Sequence, residues 1–282
     1  MISCDGTQKN KKELWAEDIL GNPEYKAICY GGYRAESRDT VPTVEEIMED
    51  MKILSAMGVR IVRTYNTQQY AHASNLLKAI KKLKIEDSAF EMYVMLGVWI
   101  DCKGAWTDYP DHSLEDEVNN KAEIEAAVMM ANEYPDIVKI LAVGNEAMVH
   151  WAATYFVPPS VILKWVNYLQ DMKKENKLNS NIWITSSDNF ASWGGAEESY
   201  HNEDLKELIK TVDYISLHSY PFHDTHYNPD FWGVPENEEK LAKLEMIDAA
   251  MVRAFEYAKS QYNNVVSYVN GLGIEKKIHI GE

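Results

Sequence analysis

The sequence predicts an α/β fold, a (β/α)8 TIM barrel, and three observations predict it. Short β-rich apolar runs alternate with amphipathic helical stretches along the chain, the order of βα units around a parallel sheet. The longer connections all follow strands, as the loops on one face of a barrel do. A length of 282 residues, with 46% apolar residues, suits one such barrel with a large core.

Seven runs read as strands: 27–33, 60–66, 92–100, 137–146, 181–187, 212–220 and 277–282. A polar leader, residues 1–13, precedes them and is expected to be disordered. Between the first two strands Val44, Ile47, Met48, Met51 and Leu54 share one helical face. Thr43, with Glu46 three residues on, forms a capping box, and Gly58 supplies the stop. Further helices are predicted around 76–83, 122–132, 161–172 and 241–262. The loops 101–119, 187–202 and 221–238 are rich in aromatic, Gly, Pro and His residues and would line the barrel mouth. Nothing marks a second domain, so residues 14–282 form one catalytic-type barrel. A parallel barrel closes with eight strands, and the count here stops at seven. The eighth strand is therefore expected to be missing and the domain C-terminally truncated, because the first and seventh strands would otherwise be bare edges.

Charge and composition narrow the partners. A formal charge of −16, from 44 acidic against 28 basic residues, repels phosphate backbones and anionic lipid, so no nucleic acid partner is expected. A neutral polysaccharide can approach such a surface freely. Eight Trp and seventeen Tyr exceed the needs of the core and offer flat faces on which sugar rings stack. Cys4, Cys29 and Cys102 are too few and scattered for a disulfide framework or zinc cluster. No run of eighteen apolar residues exists, so no transmembrane segment is expected. The opening Met1-Ile2-Ser3-Cys4 looks like the tail of a lipoprotein cleavage site, which would make the protein extracytoplasmic, periplasmic or at the cell surface, and lipid-anchored through Cys4. A monomer is expected.

Two strand ends carry the chemistry. The fourth strand is an apolar run that closes in Gly144-Asn145-Glu146, which sets a carboxylic acid at the mouth. The seventh closes in Ile278-His279-Ile280-Gly281-Glu282 in the same way. Carboxylates on opposed strand ends of a narrow barrel can approach to about 5 Å, the separation a retaining glycosidase uses. Asn-Glu alone is a common dipeptide; the second Gly-Glu ending three strands later gives it weight.

Ala27-Ile28-Cys29-Tyr30-Gly31-Gly32-Tyr33-Arg34 and Gly58-Val59-Arg60-Ile61-Val62-Arg63-Thr64-Tyr65-Asn66 resemble the opening of glycoside hydrolase family 17, the β-1,3-glucanases of the clan A type barrel. Val143-Gly144-Asn145-Glu146 and Ile278 to Glu282 resemble that family's two active-site signatures, in order, and the likeness is to its microbial, laminarinase-like branch. The resemblance implies Glu146 as general acid/base, Glu282 as nucleophile and Asn145 as partner of the sugar 2-hydroxyl. It implies Tyr220 as the residue orienting the nucleophile and Tyr30 and Tyr65 as lining of the central sugar site. The family signature continues as Thr-Gly-Trp, and nothing follows Glu282 here. The implied activity is retaining, endo-type hydrolysis of β-1,3-glucan such as laminarin, with no cofactor. Transglycosylation between glucans, and a glucan-binding barrel without turnover, are the alternatives.

Weaker candidates complete the reading. Trp99, Trp106, Trp193, Phe222, Tyr227 and Trp232 lie in post-strand loops, where each either stacks on sugar or packs the loop. Arg63 shares a strand face with Tyr65 and pairs either with an active-site carboxylate or deeper in the barrel. His223, Asp224 and His226 are too sparse a set to imply a metal. His150 reads as solvent-facing or supporting, and Asp188 either binds a sugar hydroxyl or caps its loop.

Overall fold

The apolar runs become parallel strands in the order in which they occur. The computed structural model describes residues 13–224 and 232–282. A short helix α1 (Ala16–Ile19) precedes β1 (Lys26–Cys29), followed by α2 (Val44–Ala56), β2 (Val59–Arg63), α3 (His72–Glu86) and β3 (Tyr93–Val98). A hairpin of β4 (Cys102–Lys103) and β5 (Asp111–Glu115) leads into α4 (Glu117–Glu133), β6 (Val138–Asn145), α5 (Pro159–Lys174) and β7 (Trp183–Asn189). Then come α6 (Glu203–Thr211), β8 (Ile215–His218), α7 (Pro221–Asp224), α8 (Lys243–Gly271) and β9 (Ile278–Ile280). The main sheet runs β1-β2-β3-β6-β7-β8-β9, parallel throughout, and β4-β5 forms a separate antiparallel pair. Among the described residues this is a TIM-like barrel sheet of seven strands. Its two ends meet at the C-terminal rim, where Cys29 Sγ lies 3.5 Å from the carbonyl oxygen of Gly281.

Strand residues alternate between two cores. On β3, Val94, Leu96 and Val98 pack outward on the helices, whereas Tyr93 and Met95 point inward. Ala16, Met95, Ile140, Ala142 and Tyr214 fill the interior, and Ile19 packs beside Ile61 and Tyr93, so α1 plugs the N-terminal end of the barrel. Further up, the inward positions turn polar: Arg63, Ser187, Ser216 and His218 are all buried. That change from apolar floor to polar rim is what turns a packed interior into a site.

All seven predicted strands and all five predicted helices are present, with shifted ends. The capping box closes as expected: Glu46 N donates to Thr43 Oγ1 at 3.2 Å and Thr43 N to Glu46 Oε2 at 2.8 Å. Helix α8 continues well past residue 262 because Val265 and Val269 extend its buried stripe. The sequence reading missed α1, α6, α7 and the β4-β5 hairpin. The signal for α6 existed, since Asn202 caps Leu205 N and precedes Leu205, Leu208 and Ile209 at helical spacing. The hairpin gives no alternation to read. No described helix is long and apolar enough to cross a membrane. Cys4, the proposed anchor, and the leader up to residue 12 lie outside the described residues, as do His226 and Tyr227.

Leu96 is fully buried between sheet and helices. Leu96→Ala is expected to cost about 2–5 kcal/mol, read as a lower denaturant midpoint at unchanged slope.

Candidate active site

The rim is built from kinks and one close approach. At the end of β6, Gly144 has φ 83° and the register against β7 jumps between Ala142 and Asn145. Glu146 is itself left-handed, at φ 48°, and is held there by its N–H donating to Ser187 O at 2.9 Å. In a regular strand, successive side chains point to opposite faces. The kink instead brings both Asn145 and Glu146 to the mouth, where Asn145 Oδ1 accepts from Arg63 and Glu146 Oε1 meets His218.

Glu282 reaches the mouth through Gly281. A Cβ on Gly281 would lie 2.1 Å from Ser216 Oγ and 3.2 Å from Ser187 Oγ, so only glycine lets this segment press against β8. Gly281 N donates to Leu217 O at 2.7 Å, and Ser219 N donates to Glu282 O at 3.1 Å.

Both carboxylate oxygens of Glu282 are held. Arg63, 3% exposed, donates to Oε2 at 2.7 Å, and Tyr65 donates to Oε1 at 3.0 Å. Burial pushes the Glu282 carboxyl up, but the charge and hydrogen bond of Arg63, with His218 and Tyr65 beside it, outweigh burial and hold it below the ordinary value. His218 sits between the two acids. Its Nδ1 lies 3.2 Å from Glu146 Oε1 and 3.7 Å from Glu282 Oε2, which bounds the nearest carboxyl oxygens to within about 7 Å of each other. Its Nε2 lies 2.7 Å from Ser187 Oγ. Burial lowers the imidazole pKa despite the Glu146 hydrogen bond, so His218 is neutral at neutral pH.

A cleft of about 860 Å³ opens beside Glu282 and Asn145 and is lined by Tyr65, Trp99, Asp101, Trp106, Glu123 and Tyr155 on one stretch and Tyr33, Gln69, Tyr70 and His72 on another. Glu123, on α4, accepts from the N–H groups of Thr67 and Gln68, each at 2.8 Å, and from Trp99 N at 3.3 Å, tying the loops after β2 and β3 together.

Several expectations are corrected. Trp193 is fully buried and donates its indole N–H to Ser216 O at 3.1 Å, so it is a core residue with no face for sugar. Tyr30 turns outward, where its hydroxyl donates to Asp50 of α2 at 2.6 Å, away from the central sugar site. The Tyr220 hydroxyl lies 3.1 Å from His218 Nδ1 and bonds Glu146, whereas the hydroxyl that donates to Glu282 is that of Tyr65. Phe222 stacks on Trp232 at 5.3 Å on α7, outside the residues that line the cleft. Of the two roles expected of Asp188, the loop-capping one matches its contacts: it is buried and accepts from Met148 N, Asn189 N and Ser192 Oγ. His150 stacks on Tyr200 at 3.9 Å. Arg63, Tyr65, Asn145, Glu146 and Glu282 converge as read, with Trp99 and Trp106 along the cleft. His218, Asp101 and Tyr155 were not singled out. His218 could have been found, because it lies two residues before Tyr220 on the inward face of its strand.

A family model, the BtgE/BtgC glycoside hydrolase domain, matches residues 27–282. The chain belongs to this family. Family 17, implied by the motifs, is not the family that matches, whereas the assignment to the glycoside hydrolases holds. Among solved structures, the BtgE/BtgC chain is 62% identical to an endo-laminarinase from Formosa Hel1_33_131, with a TM-score of 0.93, covering 95% of this chain and 68% of that one. A Bacteroides uniformis β-glucuronidase is 17% identical, with a TM-score of 0.44, over 69% of this chain and 20% of the other, a distance at which the likeness carries no functional information. No curated protein matches by sequence.

Removing the cation tests the electrostatics of this glycoside hydrolase domain. Arg63→Met frees Glu282 from the charge that depresses its carboxyl, so the group remains protonated to higher pH. The acidic limb of the kcat/KM profile is expected to move to higher pH.

Proposed function

We propose that the chain is an endo-acting, retaining hydrolase of β-1,3-glucan, with Glu282 as nucleophile and Glu146 as general acid/base. The observation that carries this reading is the inequality of two neighbouring carboxyl groups. Glu282 is held as an anion by Arg63 and Tyr65, with both oxygens fixed. Among the described residues Glu146 meets no Lys or Arg, and it faces a neutral imidazole. Their common contact with one nitrogen of His218 keeps their nearest oxygens within about 7 Å, which admits the separation of about 5 Å in retaining enzymes.

In this reading Glu282 attacks the anomeric carbon while Glu146 gives its proton to the departing glycosidic oxygen. The resulting ester is hydrolysed by water that Glu146, now ionised, deprotonates. Asn145, with its carbonyl fixed on Arg63, presents its NH₂ to the sugar 2-hydroxyl. The substrate is supported by the close likeness to an endo-laminarinase and by the aromatic lining of the cleft. The steps draw on residues of one chain only, and the protein acts as a monomer. A polymeric substrate cannot cross a membrane, which supports action outside the cytoplasm with Cys4 as lipid anchor.

Glu146→Gln and Glu282→Gln are each expected to lower kcat on laminarin at least about a thousandfold, with the wild-type circular dichroism spectrum retained. Release of reducing ends by the wild type, with β-configured product seen first by proton NMR, supports the reading. Binding of laminarin without release would leave a glucan-binding barrel, and exclusive formation of longer oligosaccharides would make the protein a transglycosylase.

A further inference from the structure

The segment after β3 exposes more aromatic surface than its own folding needs. Its backbone is tied down without it: Asn120 Oδ1 accepts from Asp101 N at 2.9 Å, Asn120 Nδ2 donates to Asp101 O at 2.9 Å, and Asp116 N donates to the same carbonyl at 3.0 Å. Trp106 nevertheless stands 59% exposed with φ 63°, a left-handed conformation that is unfavourable for a non-glycine residue. Strain of this kind persists only where its surroundings impose it, and it gathers at functional sites. Here Trp106 N donates to Thr154 O at 3.0 Å, and its indole stacks on Tyr155 at 5.0 Å and 21°.

One carboxylate organises the group. Asp101 accepts from Trp99 Nε1 at 2.6 Å and also bonds the Trp106 side chain. Trp99 lies 5.3 Å from Tyr155 and 6.2 Å from Trp106. Burial, with Asp116 and Glu123 nearby, pushes the Asp101 carboxyl up to about 6, so the acid is kept in an unfavourable setting where the two indoles are its partners. All four residues line the same cleft as Glu282 and Asn145. With the N–H edges fixed on Asp101 and one face of Trp106 stacked on Tyr155, the exposed remainder of the Trp106 indole is placed to meet the apolar face of a pyranose ring.

We propose that Trp99, Trp106 and Tyr155 form a saccharide subsite, along the cleft from the bond that is cleaved, which takes a glucose ring of a longer chain, and that Asp101 sets its geometry. This rests on reading the cleft as a β-1,3-glucan site. Asp101 is a positioning residue: it acts through the indoles. The consequence is a preference for long chains that the carboxylate pair alone does not give.

The test compares a β-1,3-linked glucose heptamer with the trimer. In Trp106→Ala the ratio of heptamer KM to trimer KM is expected to rise about tenfold, the loss of one aromatic contact. Asp101→Ala should reproduce most of that rise, and Trp106→Phe, which keeps a flat ring, should recover most of the loss. Trp106 is exposed, so its replacement leaves folding aside. An unchanged ratio in both alanine variants overturns the subsite. Calorimetric titration of the heptamer into Glu282→Gln protein, with and without Trp106→Ala, separates the two readings. Binding weakened by Trp106→Ala, with no sugar released by the wild type, refutes the hydrolase and keeps the subsite. Sugar release with binding unaffected by Trp106→Ala refutes the subsite alone.

Discussion

A guanidinium set inside a barrel needs an anion beside it, and the rim of this molecule is arranged around that need. Arg63 is buried on the inward face of β2, and its side chain reaches Glu282 on one branch and Asn145 on the other. Removing one partner of a buried ion pair typically costs about 3–5 kcal/mol, because the remaining charge is left without compensation. The partly exposed Glu282 softens that figure. The pair therefore fixes where β9 ends relative to β6, and it keeps Glu282 ionised while Glu146 has no such partner among the described residues. The sign of its pH dependence follows. With its folded value depressed, Glu282 contributes stability above its unfolded pKa and loses it as pH falls through the folded one, leaving Arg63 unpaired in acid.

Backbone geometry carries the rest of the arrangement. The kink at Gly144 and the left-handed Glu146 bring two adjacent side chains to one face, and the Gly281 contact with Ser216 lets the opposite acid approach. His218 fills the space between and is itself fixed by Ser187. Each of these residues sits where the inward row of a strand leaves the apolar floor, so the chemistry is an extension of the alternation that builds the barrel.

That alternation is why much of the architecture could be read from the chain. Strands such as Tyr93–Val98 and Val138–Asn145 are apolar on both faces, and their order alone implies a parallel sheet. The acids Glu146 and Glu282 were legible because an apolar run ends abruptly in a charge. Arg63 was legible because it lies two positions before Tyr65, on the same strand face. What could not be read depends on loop conformation, which has no period. Trp193 and Trp106 are the same residue type in similar loops, yet a turn around Gly194 buries the first while a left-handed backbone exposes the second. Tyr220 and Tyr65 both reach the mouth, yet Tyr220 meets His218 and Tyr65 donates to Glu282, a difference that strand spacing does not reveal. Tyr30 leaves the site because Asp50, distant in sequence, offers its hydroxyl a partner.

The account thus rests on Glu282 being the atom donor in a covalent bond to sugar, with Glu146 serving the oxygen that leaves. The most direct measurement is mass spectrometry of the protein after incubation with an activated 2-deoxy-2-fluoro β-1,3-glucosyl donor, followed by peptide mapping. The account predicts one added glycosyl group, carried by the Glu282 peptide. Label on another residue, or turnover of the donor with no covalent adduct and inverted product, would contradict it.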